Sequence, residues 1–199
     1  VESFVDELAL MAGGDPVSYR MALLPERSRA RSVLELAVQK AGWDAPLRPT
    51  AAKGAKRGRG VAVLAAFGSY LAQVAEVTVD ASGDIAVDRV VCAVDCGMVI
   101  NPDTVKAQVE GGIHFGVSAT LWGEITIKAG RVEQSNFHDY RLLRLSEAPK
   151  VEVHILPSRE APGGIGEPGT SVVLAALANA VSAATGQRLR SLPLRPNSA

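Results

Sequence analysis

Three apolar runs rich in β-branched residues constrain this chain more than any other feature. Val61 to Ala66, Ala72 to Val79 and Ile85 to Val94 are partly alternating, with a turn at Ser82-Gly83-Asp84 before the third. Runs of this length and spacing read as an antiparallel meander, buried more heavily on one face. Glu124 to Val132 reads as a second hairpin turning at Ala129-Gly130, and Val151 to Leu156 as a further alternating strand. The preceding third is helical. Residues 3 to 12 place Phe4, Leu8 and Met11 at helical spacing. Asp15-Pro16 supplies an N-cap and a first-turn proline for a helix to about Leu24. Residues 28 to 41 align Val33, Leu34, Ala37, Val38 and Ala41 on one side and stop at Gly42, a left-handed C-cap residue. The expected class is therefore α+β: a mixed or antiparallel sheet packed with helices, after a helical N-terminal third. The expected division is a helical segment over 1–44, a Pro-, Gly-, Lys- and Arg-rich linker over 45–60, and an α+β part over 61–199.

Charge narrows the function classes. With 21 basic and 21 acidic residues and a pI near 7.0, the chain carries no electrostatic footprint for nucleic acid or an anionic membrane. The one basic cluster, Lys53 to Arg59, interleaves Lys and Arg with Gly and Ala, lacks aromatics, and reads as a solvated linker. No apolar run approaches the roughly 18 to 20 residues of a membrane span. The most apolar stretch, Val172 to Ala184, is interrupted by Asn179 and Ser182. The chain starts at Val1 without a signal-like segment and reads as the interior of a longer polypeptide, so its compartment is not legible from its own start. Cys92 and Cys96 lie four positions apart on a strand, about 13 Å, too far for a disulfide or shared metal ligation. His114, His138 and His154 show no ligand spacing. No metal held directly by side chains is expected.

Two segments carry chemistry. Gly163-Gly164-Ile165-Gly166-Glu167-Pro168-Gly169 sets one carboxylate among glycines and a proline, directly before a small-residue helix pattern over about Thr170 to Thr185. Glycines allow close backbone approach to a ligand, and a helix N-terminus offers free N–H groups and favours negative charge. On spacing alone a glycine-rich turn with a surface glutamate is the commoner occurrence. The other segment is a helix from about Asp103 to Leu121, capped by Asn101-Pro102 and interrupted by Gly111, Gly112 and Gly116. Each glycine costs about 1 kcal/mol relative to alanine. Tight helix–sheet packing is one reason to keep them; bare backbone facing a ligand is the other. Gln108 and Glu110 then supply polar contacts, and Gln108, donor and acceptor together, suits the edge of a nitrogen heterocycle.

Val94-Asp95-Cys96-Gly97, Asn101-Pro102, Gln108-Val109-Glu110-Gly111-Gly112 and Gly166-Glu167-Pro168, in this order, resemble the xanthine dehydrogenase and aldehyde oxidase superfamily. Gln134-Ser135-Asn136-Phe137, Tyr140 to Arg144, Lys150 to His154 and the stretch from Ala184-Thr185-Gly186 to Leu192-Pro193-Leu194 are similar to one branch: the molybdopterin-binding subunits of isoquinoline 1-oxidoreductase-like enzymes. The resemblance covers nearly the whole chain and corresponds to the C-terminal portion of such a subunit. It implies Glu167 as the general base beside the molybdenum and Gln108 as the pterin-binding amide. Gly111, Gly112, Gly166, Thr170 and Ser171 would line the cofactor pocket. It implies molybdenum-molybdopterin cytosine dinucleotide as cofactor, contacted through its dithiolene, and hydroxylation of an N-heterocycle or aldehyde with oxygen from water. Electrons would leave through [2Fe-2S] clusters on a separate small subunit. The glycine- and phenylalanine-containing loop that faces the metal is absent, so the isolated chain is expected to be inactive and to need the N-terminal remainder of the subunit. His138 and Tyr140 are candidates for the substrate channel, against a solvated histidine and a buried aromatic. Two rival readings are a structural or assembly domain that completes a larger subunit without independent catalysis, and a phosphate-binding module built on Gly163 to Gly169. The second lacks the P-loop lysine and the Rossmann glycine spacing.

Overall fold

The computed structural model describes residues 1–50 and 52–197; Ala51, within the expected linker, and residues 198–199 lie outside the described residues. The elements run α1 (Glu2–Met11), α2 (Pro16–Leu23), α3 (Arg29–Ala41), β1 (Lys56–Ala66), β2 (Ser69–Val79), β3 (Ile85–Asp95), α4 (Pro102–Leu121), β4 (Ile127–Lys128), β5 (Arg131–Val132), β6 (Lys150–Ile155) and α5 (Pro168–Thr185). Local chemistry fixes the helix ends. Asp15 Oδ1 accepts the Ser18 N–H at 2.8 Å, and Asn101 Oδ1 accepts those of Asp103 and Thr104 at 3.0 and 3.1 Å. Gly42 closes α3 in the left-handed region, at φ 65°.

One four-stranded sheet of order β1-β2-β3-β6 organises the chain. β1, β2 and β3 form the antiparallel meander, and β6 returns parallel to β3 after the crossover through α4. β4 and β5 form a separate hairpin, shorter than the run from Glu124 to Val132. Alternation sorts the strand side chains between two helical layers. Leu71, Ala75, Val77, Val90, Cys92 and Val94 join Val109, Ile113, Val117, Val173, Leu177 and Val181 of α4 and α5. Ala72, Val74, Val91 and Ala93 meet Val33, Leu34, Ala37 and Ala41 of α3. The sheet is thus covered on both faces, not mainly on one. The apolar side of α3 is the reason, and it leaves β2 buried along nearly its whole length.

The basic stretch corrects a second expectation. β1 begins at Lys56, inside the expected linker, and the Arg-Gly alternation is a strand alternation. Gly58 and Gly60 face α5, where added Cβ atoms would lie 2.1 Å from Ala180 O and 2.2 Å from Ala180 N. Arg57 and Arg59 point the other way into ion pairs with Asp88 and Glu76, at 2.8 and 2.9 Å. Arg59 Nη1 also donates to the carbonyls of Gly42, Trp43 and Ala45, which holds the C-terminal end of α3 to the sheet.

α5 meets the length and composition of a membrane span, unlike the stretch measured on sequence alone, because Pro168 to Ser171 extend it. In this fold 61% of it is buried, packed between β1, β2 and α4. Leu177, Val173 and Val181 are fully buried there, each worth about 1.5–3 kcal/mol.

Candidate active site

The loop between β6 and α5 carries the glycine-rich motif across one end of the sheet. Gly163 N–H donates to Cys96 O at 2.9 Å, and Gly164 N–H donates to Phe67 O at 2.7 Å in the β1–β2 turn. Met98 N–H donates to Glu160 O at 2.9 Å. A Cβ at Gly163 would sit 2.5 Å from Ser69 Oγ, and one at Gly164 2.9 Å from Phe67 Cβ. At these two glycines the loop lies directly against the β1–β2 turn of this chain. Phe67, at φ 55°, is a bulky residue in the left-handed region and stands 63% exposed beside the loop.

Arg29 and Asp95 secure that platform. Arg29 Nε and Nη2 grip the Asp95 carboxylate, each at 2.7 Å, while Asp95 Oδ1 accepts the Gly97 N–H at 3.0 Å. Arg29 also donates to Gly68 O at 3.2 Å. The N-terminus of α3, the β1–β2 turn and the end of β3 are therefore tied at one point. The Arg29 guanidinium holds the Asp95 carboxyl below the usual range, against the opposing effect of burial.

Glu167 directly precedes α5 and is exposed; its side chain makes no cap hydrogen bond, while its carbonyl accepts from Thr170 N and Ser171 N at 3.0 and 3.2 Å. Gln108, in the second turn of α4, reaches across 58 positions to donate its Nε2 to Gly166 O at 2.8 Å. The residues singled out on different helices thus meet in space. Thr170 Oγ1 donates to Gly112 O at 3.0 Å and docks the two helices together, and Ser171 is exposed one position on. The glycines of α4 divide in role. An added Cβ at Gly112 or Gly116 would meet α5, 3.1 Å from Thr170 Oγ1 and 2.4 Å from Val173 Cγ1; at Gly111, as at Gly166, it would meet nothing within 4 Å. The packing is helix on helix, not helix on sheet. His138 is 74% exposed beside Asp139, on the excursion after β5, and Tyr140 there is half-buried.

The donor set suits an organic cofactor. Among the described residues no group of three or more His, Cys, Asp or Glu side chains could hold a metal ion. Both cysteines are free and buried, and burial pushes the Cys92 thiol up to about 12, far from a ligating thiolate. A free carboxylate, an exposed primary amide and two glycine faces open to solvent fit a hydrogen-bonding heterocycle such as a pterin. A cavity of about 630 Å³ lies at the other end of the sheet among Arg57, Arg59, Glu76, Arg89 and Glu152. Its guanidinium groups are already spent on carboxylates and on helix carbonyls, so it is a structural ion network.

Residues 35–149 match the molybdopterin cofactor-binding domain family; the match includes Gln108, Gly111 and Gly112 and ends before Gly166 and Glu167. Over 98% of its length the chain is 39% identical to the beta subunit of isoquinoline 1-oxidoreductase from Brevundimonas diminuta, covering 25% of that protein. It is 37% identical over 97% of its length to one of the subunits of nicotinate dehydrogenase from Pseudomonas putida, covering 17% of it. The fold superposes on the crystal structure of the aldehyde oxidoreductase from Desulfovibrio desulfuricans with a TM-score of 0.78 over 96% of this chain and 38% of that one; at 16% identity this is a likeness of fold. The chain spans a quarter or less of the length of these two curated relatives. By the matched residues and these relatives, the chain belongs to the molybdopterin cofactor-binding domain family, among xanthine dehydrogenase-type proteins.

Proposed function

We propose that this chain forms the C-terminal part of a molybdenum hydroxylase subunit that oxidises an N-heterocycle or an aldehyde with oxygen from water. Electrons would pass to [2Fe-2S] clusters on a partner subunit. The observation that carries this reading is the Gln108–Gly166 hydrogen bond beside the exposed Glu167, which joins a cofactor-facing amide to a base-bearing loop. With Nε2 engaged by the loop, Gln108 Oε1 would be left to accept a hydrogen bond from a pterin N–H. Gly111 and Gly166 leave room for the cofactor, and Thr170 and Ser171 border it from the first turn of α5, with Gly112 holding α4 against that turn. Molybdopterin cytosine dinucleotide, when bound, supplies the two-electron oxidation. Glu167 takes the proton from the oxygen nucleophile as it attacks an electron-poor carbon, a role worth ~10²- to 10⁴-fold.

The chain offers one wall of such a pocket. The remainder of the subunit would supply the other wall and the substrate channel, so the isolated chain neither retains the cofactor nor turns over. The test is Glu167→Gln in the complete enzyme. Turnover should fall by at least ~10²-fold with molybdenum content unchanged. Near-normal rates at full molybdenum occupancy would remove Glu167 from the role.

A further inference from the structure

Two side-chain amides bracket Glu167 from different elements. Ahead of it, Gln108 Nε2 holds Gly166 O at 2.8 Å; behind it, Gln73 Nε2 of β2 holds Gly169 O at 3.0 Å. They differ in setting. Gln108 is exposed, whereas Gln73 is fully buried in the middle of the central strand, paired across the sheet with Cys92. An apolar side chain would fill that volume without desolvating an amide, and Gln73 Oε1 has no hydrogen-bond partner at all. A primary amide kept there at such a cost calls for a reason. Its Nε2 reaches the second residue of α5, and the side chain also lies within reach of the buried Cys92 thiol opposite it on β3.

We infer that Gln73 is a positioning residue for Glu167. Its buried amide fixes the first turn of α5, and with it the backbone that carries the Glu167 carboxylate, before any cofactor is bound. The inference rests on the reading of Glu167 as the base. Gln108 cannot supply this anchor alone, because its amide is open to solvent and is the group assigned to the cofactor. The anchor matters because a displacement of about 1 Å in a reacting group can cost roughly 100-fold in rate.

The test uses Gln73→Met and Gln73→Asn in the complete, cofactor-loaded enzyme. The first keeps side-chain length without donors; the second keeps an amide too short to reach Gly169. Molybdenum content should stay near wild type in both variants and Tm near wild type in Gln73→Met, with Gln73→Asn lower because its shorter amide is buried unpaired, while the amides of residues 169–172 exchange hydrogen faster. kcat should fall about 10- to 100-fold at little-changed KM, and the limb of the kcat–pH profile that reports the base should move. A residue that only packs the core would shift Tm and leave that limb in place. Unchanged kcat and pH profile despite faster exchange would overturn the inference. So would loss of folding or of cofactor in both variants, which would assign Gln73 to the core alone. If Glu167→Gln is inactive while Gln73→Met is not, this inference alone fails; if Glu167→Gln turns over normally, the base reading itself fails.

Discussion

Replacing Gly111 by alanine separates packing from ligand access in α4. Gly111 is exposed, and its added Cβ would have no atom within 4 Å, so the methyl costs nothing sterically. Alanine in a helix interior gains about 0.8–1 kcal/mol over glycine. For a chain of this size that raises Tm by about 2–4 °C. Gly116, five positions on, is the contrast: its added Cβ would lie 2.4 Å from Val173 Cγ1 and 2.8 Å from Thr170 O. Carbon atoms pack at about 3.5–4.0 Å, so α5 or Val173 must give by an ångström or more. Overpacking of that kind costs about 1–3 kcal/mol, and the helix gain offsets about 1 of it. Gly116→Ala should therefore lower stability by up to about 2 kcal/mol. Urea and thermal unfolding of both variants beside wild type read the two signs. A destabilised Gly111→Ala, or a Gly116→Ala as stable as wild type, would refute the division of roles. In the complete enzyme Gly111→Ala should also lose molybdopterin despite its higher Tm, if the open face serves the cofactor; full retention would show that it does not.

Two further outcomes follow from the sheet. Gly60→Ala forces a Cβ to 2.2 Å from Ala180 N and 2.3 Å from Ala176 O, so it should destabilise by about 3 kcal/mol or more in a urea titration; a neutral result would mean α5 does not lie on β1 as described. Glu152 is hydrogen-bonded by Arg89 and Lys150, which hold its carboxyl at about 2 instead of 4.5. A depressed carboxylate stabilises above its unfolded value and loses that contribution as pH falls through the folded one. Glu152→Gln should thus be less stable by about 1 kcal/mol near neutrality, discounted for solvent screening. The gap should close between pH 4.5 and about 2, and a gap independent of pH would contradict the assignment.

What the sequence made legible was mostly local. Asp15-Pro16, Asn101-Pro102 and Gly42 each cap the helix that their chemistry predicts, because capping depends on neighbours within one turn. The meander followed from strand alternation. The second buried face did not, since it depends on α3 docking from outside the sheet. Arg57 to Gly60 read as a linker because glycine alternating with arginine has no apolar period, although one face is bare only to admit α5. The glycine-rich motif was visible as a motif, yet the partner of Gly163 and Gly164 is the Phe67 and Ser69 region, distant in sequence. Gln73 was missed for a similar reason. A polar residue between Leu71 and Ala75 on one face of β2 was its signal, and the carbonyl of Gly169 gives that signal a meaning.

The central claim is that this end of the sheet, and not the arginine-rich cavity at the other end, faces the cofactor. A crystal or cryo-EM structure of the complete enzyme with molybdopterin bound tests it most directly. Gln108 should be hydrogen-bonded to the pterin and the Glu167 carboxylate turned to the metal, with the Gln108–Gly166 and Gln73–Gly169 bonds intact. A cofactor seated among Arg57, Arg89 and Glu152, or one leaving Glu167 in open solvent, would contradict it.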